Sequence, residues 1–223
     1  MWEHAHLTID GPIPPSDFLL SNFLLHASTD IVAGIILAAG EARRFGSPKP
    51  LLDWHGEPFI RHIARTALAA GLSPVIAVSG AYPTEVQAAL KDLPVPVVHN
   101  SQWQVGQSTS VQAGLRALPS EAGAVIFLLA DQPQVPPRLL QALVEKYIET
   151  GAAIVAPWVG MQRGNPVLFD RVTFPDFMVL EGDIGGRALF ARHKVIDLPW
   201  DDPGLLLDVD TPEDYQRLLD AYD

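Results

Sequence analysis

The sequence of 223 residues contains no cysteine, which excludes disulfide bonds, thiolate metal ligands and a cysteine nucleophile. It also lacks an uninterrupted apolar run of the roughly 20 residues that a membrane-spanning helix needs. The apolar patch at residues 18–25 is not preceded by Lys or Arg, so it does not have the charged start of a secretory signal. These absences together favour a cytoplasmic protein without a membrane association.

Positive charge is scarce, since 15 Lys and Arg face 26 Asp and Glu and give a formal net charge of −11. Nucleic-acid-binding proteins need basic surfaces to contact the phosphate backbone, so nucleic acid is not expected as a partner. An acidic protein can still bind a small anion locally, through a helix N-terminus, a basic loop or a metal ion held by carboxylates. With 48% hydrophobic residues, the chain can bury a sizeable core.

Two common nucleotide-binding motifs are missing, the P-loop GxxxxGK[ST] and the dinucleotide fingerprint GxGxxG. In their place, residues 31–51 read IVAGIILAAGEARRFGSPKPL, an apolar stretch followed by small residues and three cations, Arg43, Arg44 and Lys49. A buried strand that leads into a loop of small residues lets backbone N–H groups approach a ligand closely. Arg and Lys beside such a loop suit a polyphosphate, although a turn with solvated charges remains the alternative.

From residue 31 onward, apolar runs alternate with segments of helical periodicity, punctuated by Gly and Pro. This alternation predicts an α/β fold, a doubly wound, mostly parallel sheet with helices on both faces. Residues 1–30 do not share the pattern and are predicted to be an N-terminal extension, whereas residues 31–223 form the main domain. We expect the 18–25 patch to cover an apolar surface of this chain or of a neighbouring copy. The predicted strands are residues 31–38, 74–79, 95–98, 124–130, 152–156, 165–169, 195–198 and 205–209, and the predicted helices are 60–70, 83–91, 108–118, 137–150, 185–192 and 211–221.

Ligands of open α/β sheets bind outside the carboxyl ends of the strands, and this sequence places polar groups there. Asp131 follows the very apolar strand at 124–130, and Asp210 follows the predicted strand at 205–209. Mg²⁺ takes few protein carboxylates and keeps water and phosphate oxygens, so these two Asp suit a magnesium–nucleotide complex. Each Asp also fits a capping role, and Asp208 is an alternative to Asp210.

Seven segments extend the pattern: LAAGEARRFGSPK, VSGAY, HNSQWQVGQSTSVQAGL, LLADQPQV, RGNPVLF, GDIGGR and DVDTPEDY. Together they resemble the molybdenum cofactor cytidylyltransferases, within the group that includes the molybdenum cofactor guanylyltransferases. The resemblance runs from about residue 31 to residue 215 and implies a Rossmann-like nucleotidyltransferase fold. LAAG stands where guanylyl enzymes tend to carry LAGG, which favours cytosine as the base.

The resemblance implies a role for each matching position. Arg43 and Lys49 would neutralise the triphosphate, and Asp131 would act with them in catalysis. Asp131 and Asp210 would hold Mg²⁺, the expected cofactor. The nucleotide would contact Leu37, Ala38, Ala39, Gly40, Gly80, Ser108 and Ser110, and the second substrate would contact Asn165, Pro166, Gly182, Asp183 and Arg187.

The predicted reaction transfers CMP from Mg·CTP to a molybdopterin-type phosphate and releases pyrophosphate. One alternative is an enzyme of the same fold that uses GTP or another acceptor, such as a sugar phosphate, a lactyl phosphate or an isoprenoid precursor. A second alternative is a non-catalytic nucleotide-binding chaperone for a molybdoenzyme. A molybdoenzyme or a second copy of the chain is the protein partner to expect.

Overall fold

The computed structural model describes residues 31–41 and 48–222 of the chain. These described residues contain ten β-strands, in chain order β1 Ile31–Ala38, β2 Asp53–Trp54, β3 Glu57–Pro58, β4 Val75–Ser79, β5 Val97–His99, β6 Ala122–Leu129, β7 Ile154–Val159, β8 Gln162–Arg163, β9 Val167–Asp170 and β10 Val195–Pro199. The described α-helices are α1 Phe59–Ala69, α2 Pro83–Leu90, α3 Gln107–Arg116, α4 Pro137–Thr150, α5 Phe174–Phe177 and α6 Pro212–Tyr222. Short 3-10 helices cover Lys49–Leu51, Trp103–Val105, Arg171–Thr173, Gly186–Ala191 and Pro203–Leu206.

Eight of the strands form one sheet in the order β10-β7-β9-β6-β1-β4-β5, with β8 paired to β7. The pairs of β1 with β4 and β6, of β4 with β5 and of β7 with β10 are parallel. Strand β9 lies antiparallel between β6 and β7. The predicted α/β class, a mostly parallel sheet with helices on both faces, is therefore confirmed.

Alternate residues of the central strands point to opposite faces of the sheet, and each face carries its own apolar core. On one face, Ile36 and Ile126 pack with buried residues of α1, α2 and α4. On the other face, Ile35 and Phe127 pack with buried residues of α3 and with Phe177 of α5. Strands that are buried on both sides need near-continuous apolar sequence, which explains the IVAGIILA and AGAVIFLL runs of β1 and β6.

A smaller third cluster joins the C-terminal helix to the rest of the domain. Trp54 of the β2–β3 hairpin and Phe59 of α1 are buried together with Val209 and Leu218. The side-chain hydroxyl of Tyr215 donates to the backbone carbonyl of Asp53 at 2.7 Å. This cluster holds α6, and with it the preceding segment 208–211, against the body of the domain.

The carboxyl ends of the neighbouring parallel strands meet at one edge of the sheet, as the register shows. Ala38 at the end of β1 lies beside Ser79 at the end of β4, and Ser79 lies beside His99 at the end of β5. On the other side, Leu37 pairs with Leu129 at the end of β6. The loops that follow these four strands therefore emerge close to one another.

Two sequence predictions are corrected here. Residues 205–209 do not form a strand, since Pro203–Leu206 is a 3-10 helix whose Asp202 cap accepts from the Gly204 N–H at 2.9 Å. The apolar LLL run is explained by core packing instead, because Leu205 is buried in the larger core, Leu206 packs against it and Leu207 packs against the third cluster. The predicted helix at 185–192 is a 3-10 helix, Gly186–Ala191.

The predicted N-terminal extension, residues 1–30, and the patch at 18–25 lie outside the described residues, as does Arg43 in the first loop. Within the part of the chain that is described, no helix has the length and apolar character to cross a membrane.

Candidate active site

The carboxyl edge of the sheet opens into a cavity of about 550 Å³. The ends of β1 and β6 form its floor, and the segment before α3 forms a wall. Four charged side chains of the described residues line it, those of Glu41, Lys49, Asp131 and Asp183, and polar side chains from Gln104, Gln107 and Ser110 lie among small and apolar residues. A concave cavity of this size with converging polar groups is typical of small-molecule sites. The full lining is Leu37, Ala38, Ala39, Gly40, Glu41, Lys49, Pro50, Trp103, Gln104, Val105, Gly106, Gln107, Ser110, Leu129, Ala130, Asp131 and Asp183.

The small residues after β1 let the backbone itself line the cavity. A Cβ at Gly40 would meet no atom of the described residues within 4 Å, so the described part of the loop leaves room at this position. Gly80, after β4, is used differently, because a Cβ there would collide with the Ala39 carbonyl and lie 2.7 Å from Cβ of Trp103. Gly80 is thus buried behind the cavity wall, and its missing side chain makes room for Trp103, which lines the cavity.

Lys49 enters the site from the start of a short 3-10 helix. Pro48 precedes it in an extended conformation, and Pro50 after it is buried, so the backbone on both sides of Lys49 is restricted. Its Nζ donates to Oδ1 of Asp210 at 2.6 Å and lies 3.9 Å from Oδ2 of Asp131. One ammonium group therefore lies between two carboxylates that the chain separates by many residues.

Asp131 follows the end of β6, where its carboxyl group is only partly accessible. Its Oδ1 is buried and has no hydrogen-bond partner among the described residues. Burial raises the pKa of Asp131 to about 6, with the nearby Asp208 and Asp210 charges adding to the rise and Lys49 opposing it. A buried carboxylate oxygen without a partner is costly, so this atom is suited to accept a cation or a donor from a ligand.

Asp210 lies after the 3-10 helix Pro203–Leu206, on a segment without strand pairing. Its side chain is 61% exposed and reaches Lys49, whereas Asp208 accepts at 2.6 Å from the side-chain amide of Gln132. The two Asp thus have different partners, Lys49 for Asp210 and Gln132 for Asp208.

The N-terminus of α3 is brought to the site by close packing and by a buried amide. Gly114 allows α3 to approach β1, since a Cβ there would lie 2.7 Å from Cγ2 of Ile35. Asn100, after β5, donates to the hydroxyl oxygens of Thr109 and Ser110 at 2.8 and 3.0 Å. Ser110 lines the cavity, whereas Ser108 is buried and its backbone N–H donates to the Gly182 carbonyl at 3.1 Å.

A second cavity of about 220 Å³ adjoins the first and shares Leu37, Gln107 and Leu129 with it. Phe127 and Phe169 contribute aromatic surface, and polar groups come from side chains on the neighbouring loops. Its remaining lining consists of Val111, Asn165, Val167, Gly185, Gly186 and Arg187. The shared residues place the two cavities side by side, as a transfer reaction between two substrates requires.

The structure brings most of the sequence-predicted residues to these two cavities. Asn165 and Arg187 line the smaller one, but Asp183, predicted for the second substrate, lines the larger one. Gly80, Ser108, Pro166 and Gly182 are absent from both linings among the described residues, and Asp210 reaches the site through Lys49. Sequence reasoning did not assign roles to Asn100, Gln104, Val105, Gln107, Gln132 or Gln134.

The described residues provide only part of the ligand set that a divalent metal ion needs. The described residues contain no group of three or more His, Cys, Asp or Glu that could hold a metal ion. Asp131, with its unpartnered oxygen, and Asp210 are two carboxylates near one point. Mg²⁺ is commonly bound by one or two carboxylates together with substrate phosphates, so this donor set fits a metal that arrives with a nucleotide.

Comparison with known proteins identifies a family for this chain. The family described as MobA-like NTP transferase domain matches residues 34–196. The chain is 34% identical over 203 residues to the purine catabolism protein PucB of Bacillus subtilis (strain 168), across 84% of this chain and 96% of PucB. It is 32% identical over 199 residues to nicotine blue oxidoreductase of Paenarthrobacter nicotinovorans, with the same coverage of 84% and 96%.

Among solved structures, Rv0371C of Mycobacterium tuberculosis H37Rv, in complex with manganese, superposes with a TM-score of 0.73 at 30% sequence identity. That superposition covers 85% of this chain and 98% of Rv0371C. The family match includes β2 to β9 and parts of β1 and β10, and it contains every residue that lines the two cavities. Asp210 and α6 lie outside it. The chain therefore belongs to the family of MobA-like NTP transferase domains.

Proposed function

We propose that this protein transfers CMP from a metal-bound CTP to a pterin phosphate and releases pyrophosphate. The observation that carries the proposal is the convergence of Lys49, Asp131 and Asp210 beside a cavity that shares three lining residues with a second one. A cation and two carboxylates next to a backbone-lined loop suit a triphosphate with its metal ion. The adjoining cavity provides room for an acceptor.

In this proposal the nucleotide occupies the larger cavity. The backbone of residues 37–40 lies against it, Ser110 offers a hydroxyl group, and Trp103 offers a ring face for the base or ribose. The Ala39 methyl group occupies space that a glycine would leave open. That difference favours the smaller pyrimidine base and supports CTP over GTP.

Lys49 and the two carboxylates have different electrostatic roles in the proposed reaction. Asp131 and Asp210 would hold Mg²⁺, which when bound supplies Lewis-acid neutralisation of the phosphate oxygens. Lys49 lies between the two carboxylates and can turn toward the triphosphate, where its point charge would stabilise negative charge that develops at the α-phosphorus. Arg43, predicted to share this role, lies outside the described residues.

The acceptor would enter the smaller cavity. Its aromatic surface, from Phe127 and Phe169, suits a planar ring system, and Asn165 offers an amide for polar ring atoms. Arg187 supplies the guanidinium group that a phosphate needs. A pterin that carries a phosphate combines these chemical features in one molecule.

The chemistry needs no nucleophile from the protein. An oxygen of the acceptor phosphate attacks the α-phosphorus of CTP in line, and a new P–O bond forms. The bond from the α-phosphorus to the bridging oxygen breaks, and pyrophosphate leaves with that electron pair. Because no proton must be removed from an ionised phosphate, positioning and charge stabilisation can supply most of the rate.

Family membership alone does not assign this reaction, because the name of one relative, nicotine blue oxidoreductase, describes redox chemistry. The grouping of Lys49 with two carboxylates favours phosphate chemistry instead. A non-catalytic nucleotide-binding module would retain the cavity without needing that charge arrangement. The proposal therefore depends on turnover, which is directly measurable.

The test is pyrophosphate release by the purified full-length chain with Mg²⁺ and a molybdopterin-type acceptor. CTP, GTP, ATP and UTP are offered separately, and reactions without acceptor and with a metal chelator serve as controls. We expect release with CTP that requires both acceptor and metal, and its loss in Asp131→Asn, which removes the carboxylate at the buried position. Asp170→Asn, a carboxylate on β9 that accepts from Tyr147 at 2.7 Å, is a control that should keep the activity.

Each outcome decides a separate part of the proposal. Release with GTP alone would keep the reaction and overturn the base assignment. Release with CTP but with a sugar phosphate in place of the pterin would overturn the acceptor. Nucleotide binding without release for any of the four nucleotides would overturn catalysis in favour of a binding module.

A further inference from the structure

The second metal carboxylate, Asp210, lies on a segment that the sheet does not hold. Residues 203–206 form a 3-10 helix, and the following residues up to 211 pair with no strand among the described residues. The other carboxylate, that of Asp131, lies by contrast just after the end of the central strand β6. Something other than strand pairing must fix the separation of these two groups.

Two glutamines that follow Asp131 make the connection. Gln134 donates from Nε2 to the backbone carbonyls of Leu207 at 2.7 Å and Gly204 at 3.2 Å. Gln132 donates from Nε2 to Oδ1 of Asp208 at 2.6 Å. The sequence Asp131-Gln-Pro-Gln therefore carries one metal carboxylate and two side chains that reach the segment with the other.

Both side-chain amides are buried, and both donate hydrogen bonds to residues 204–208. Gln132 is 3% exposed and Gln134 is 6% exposed, and the Oε1 atom of each has no hydrogen-bond partner among the described residues. Burying a polar amide with an unsatisfied acceptor is unfavourable, so apolar side chains would suit these two positions better for stability alone. That cost is consistent with a functional use of the two N–H groups.

The hydrogen bond of Gln132 also separates the roles of the two neighbouring Asp residues. Asp208 is engaged by a neutral amide, whereas Asp210 is engaged by Lys49, a group that a metal ion can replace. We infer that Gln132 and Gln134 are positioning residues that hold Asp210, and not Asp208, at metal-binding distance from Asp131. This inference rests on the proposed function, since it assumes a metal–nucleotide complex at this site.

The test measures Mn²⁺ binding in the presence of CTP, by electron paramagnetic resonance of free Mn²⁺, on the full-length chain. Asp210→Asn should weaken Mn²⁺ binding by about 10-fold or more, as for loss of a ligand or of its support. Asp208→Asn should stay within about threefold of wild type, because its amide oxygen still accepts from Gln132. Equal losses in both variants would overturn the division of roles.

Reversing the donor and acceptor between residues 132 and 208 distinguishes a positioning role of Gln132 from an effect of charge alone. Gln132→Glu places a carboxylate against Asp208 and should weaken Mn²⁺ binding about 10-fold, although the added negative charge alone would strengthen it. Adding Asp208→Asn restores a hydrogen bond of reversed polarity and should return affinity to within about threefold of wild type. Tighter Mn²⁺ binding in Gln132→Glu, or no recovery in the double variant, would overturn the positioning role.

Gln134 is tested against a matched glutamine. Gln112 also donates to two backbone carbonyls, those of Phe177 at 3.3 Å and Leu180 at 2.9 Å, in another irregular segment. Gln134→Leu should weaken Mn²⁺ binding about 10-fold, whereas Gln112→Leu should leave it within about twofold even where both lower the melting temperature similarly. Similar Mn²⁺ affinities in the two variants would overturn the assignment of Gln134.

The wild-type measurement separates this inference from the proposed function. If the wild-type chain binds no Mn²⁺ with CTP, the proposed function fails, and the inference fails with it. If the wild type binds Mn²⁺ with CTP while the glutamine variants match it, only the role of the glutamines is overturned.

Discussion

At the scale of single residues, Lys49 contacts carboxylates in this structure, whereas in the proposed reaction it would contact phosphate oxygens. It neutralises Asp210 at 2.6 Å and lies 3.9 Å from Asp131, so it occupies the position between the carboxylates that a metal ion would also favour. A metal–nucleotide complex would bring both a competing cation for the carboxylates and a competing anion for the ammonium group. The same side chain is thereby suited to stabilise the site without ligand and the triphosphate with ligand.

This arrangement predicts the effect of Lys49→Ala. The variant should lose about 10²-fold or more in kcat for pyrophosphate release, because it removes a preorganised charge at a transferring phosphate. Lys146→Ala is the matched control, since Lys146 pairs with Glu149 at 2.5 Å on the exposed side of α4 and should keep its activity. Steady-state kinetics with saturating Mg²⁺ measure both variants, and a Lys49→Ala rate within about threefold of wild type would contradict the role.

The sequence could indicate these charged residues because the chemistry that places them is local. A carboxylate directly after a fully apolar strand, as at Asp131, can only lie at the strand end, and Lys49 is close in sequence to the loop it serves. Gln132 and Gln134 could not be assigned in this way. Their partners lie some 70 residues away in a segment whose conformation the sequence pattern did not predict.

At the scale of elements, the N-terminus of α3 and the loop at 180–187 are packed backbone to backbone. Gly106 has φ +140°, and a Cβ there would collide with the Gly182 carbonyl. The N–H of Ser108 donates to that same carbonyl at 3.1 Å. Asp183, next in the chain, lines the larger cavity, so this contact sets one wall of the proposed nucleotide site.

Gly106→Ala should therefore destabilise the protein by about 2 kcal/mol or more, from backbone strain and from displacement of the Gly182 loop. Gly71→Ala is the control, because Gly71 also has positive φ, +85°, but borders open space. The control should cost about 1 kcal/mol, from the backbone conformation alone. Equilibrium denaturation of both variants checks the difference, and equal losses would show that the contact with Gly182 contributes nothing.

Which elements the sequence could predict depended on how their stability arises. Helix α4 and strand β1 were predicted with the observed bounds, because α4 carries apolar residues at helical spacing and β1 is a short, continuous apolar run. The β2–β3 hairpin and β8 were missed, since two-residue strands have no period to detect. The apolar run at 205–207 was predicted to be a strand. Asp202 and Pro203 instead begin a 3-10 helix, and Leu205 is buried from within that helix.

At the scale of the whole molecule, the proposed site connects distant parts of the chain. Asp131 follows strand β6 of the central sheet, Lys49 begins the 3-10 helix between β1 and β2, and Asp210 lies in the segment before α6. A ligand that bridges these three groups binds the folded chain and not the unfolded one. Its binding free energy therefore adds to the stability of the entire domain.

This linkage predicts the thermal behaviour of the full-length protein. At about 100 times its dissociation constant, a ligand adds about 2.7 kcal/mol. For a domain of this size, each kcal/mol raises the melting temperature by about 2–4 °C, so a rise of roughly 5–11 °C is expected with Mg²⁺ and CTP together. Mg²⁺ alone should give a much smaller rise, because the described residues offer no metal cluster of three protein ligands.

Calorimetry or fluorescence melting with each nucleotide at one concentration measures this effect, and Asp210→Asn is the variant to compare. In that variant the rise in melting temperature with Mg²⁺ and CTP should shrink toward the rise with CTP alone. The reason is that the ligand no longer connects the segment before α6 with Asp131 and Lys49. A full rise that persists in Asp210→Asn would remove this residue from the metal site. An equal rise with CTP and GTP in the wild type would show that the Ala39 methyl group does not select the base.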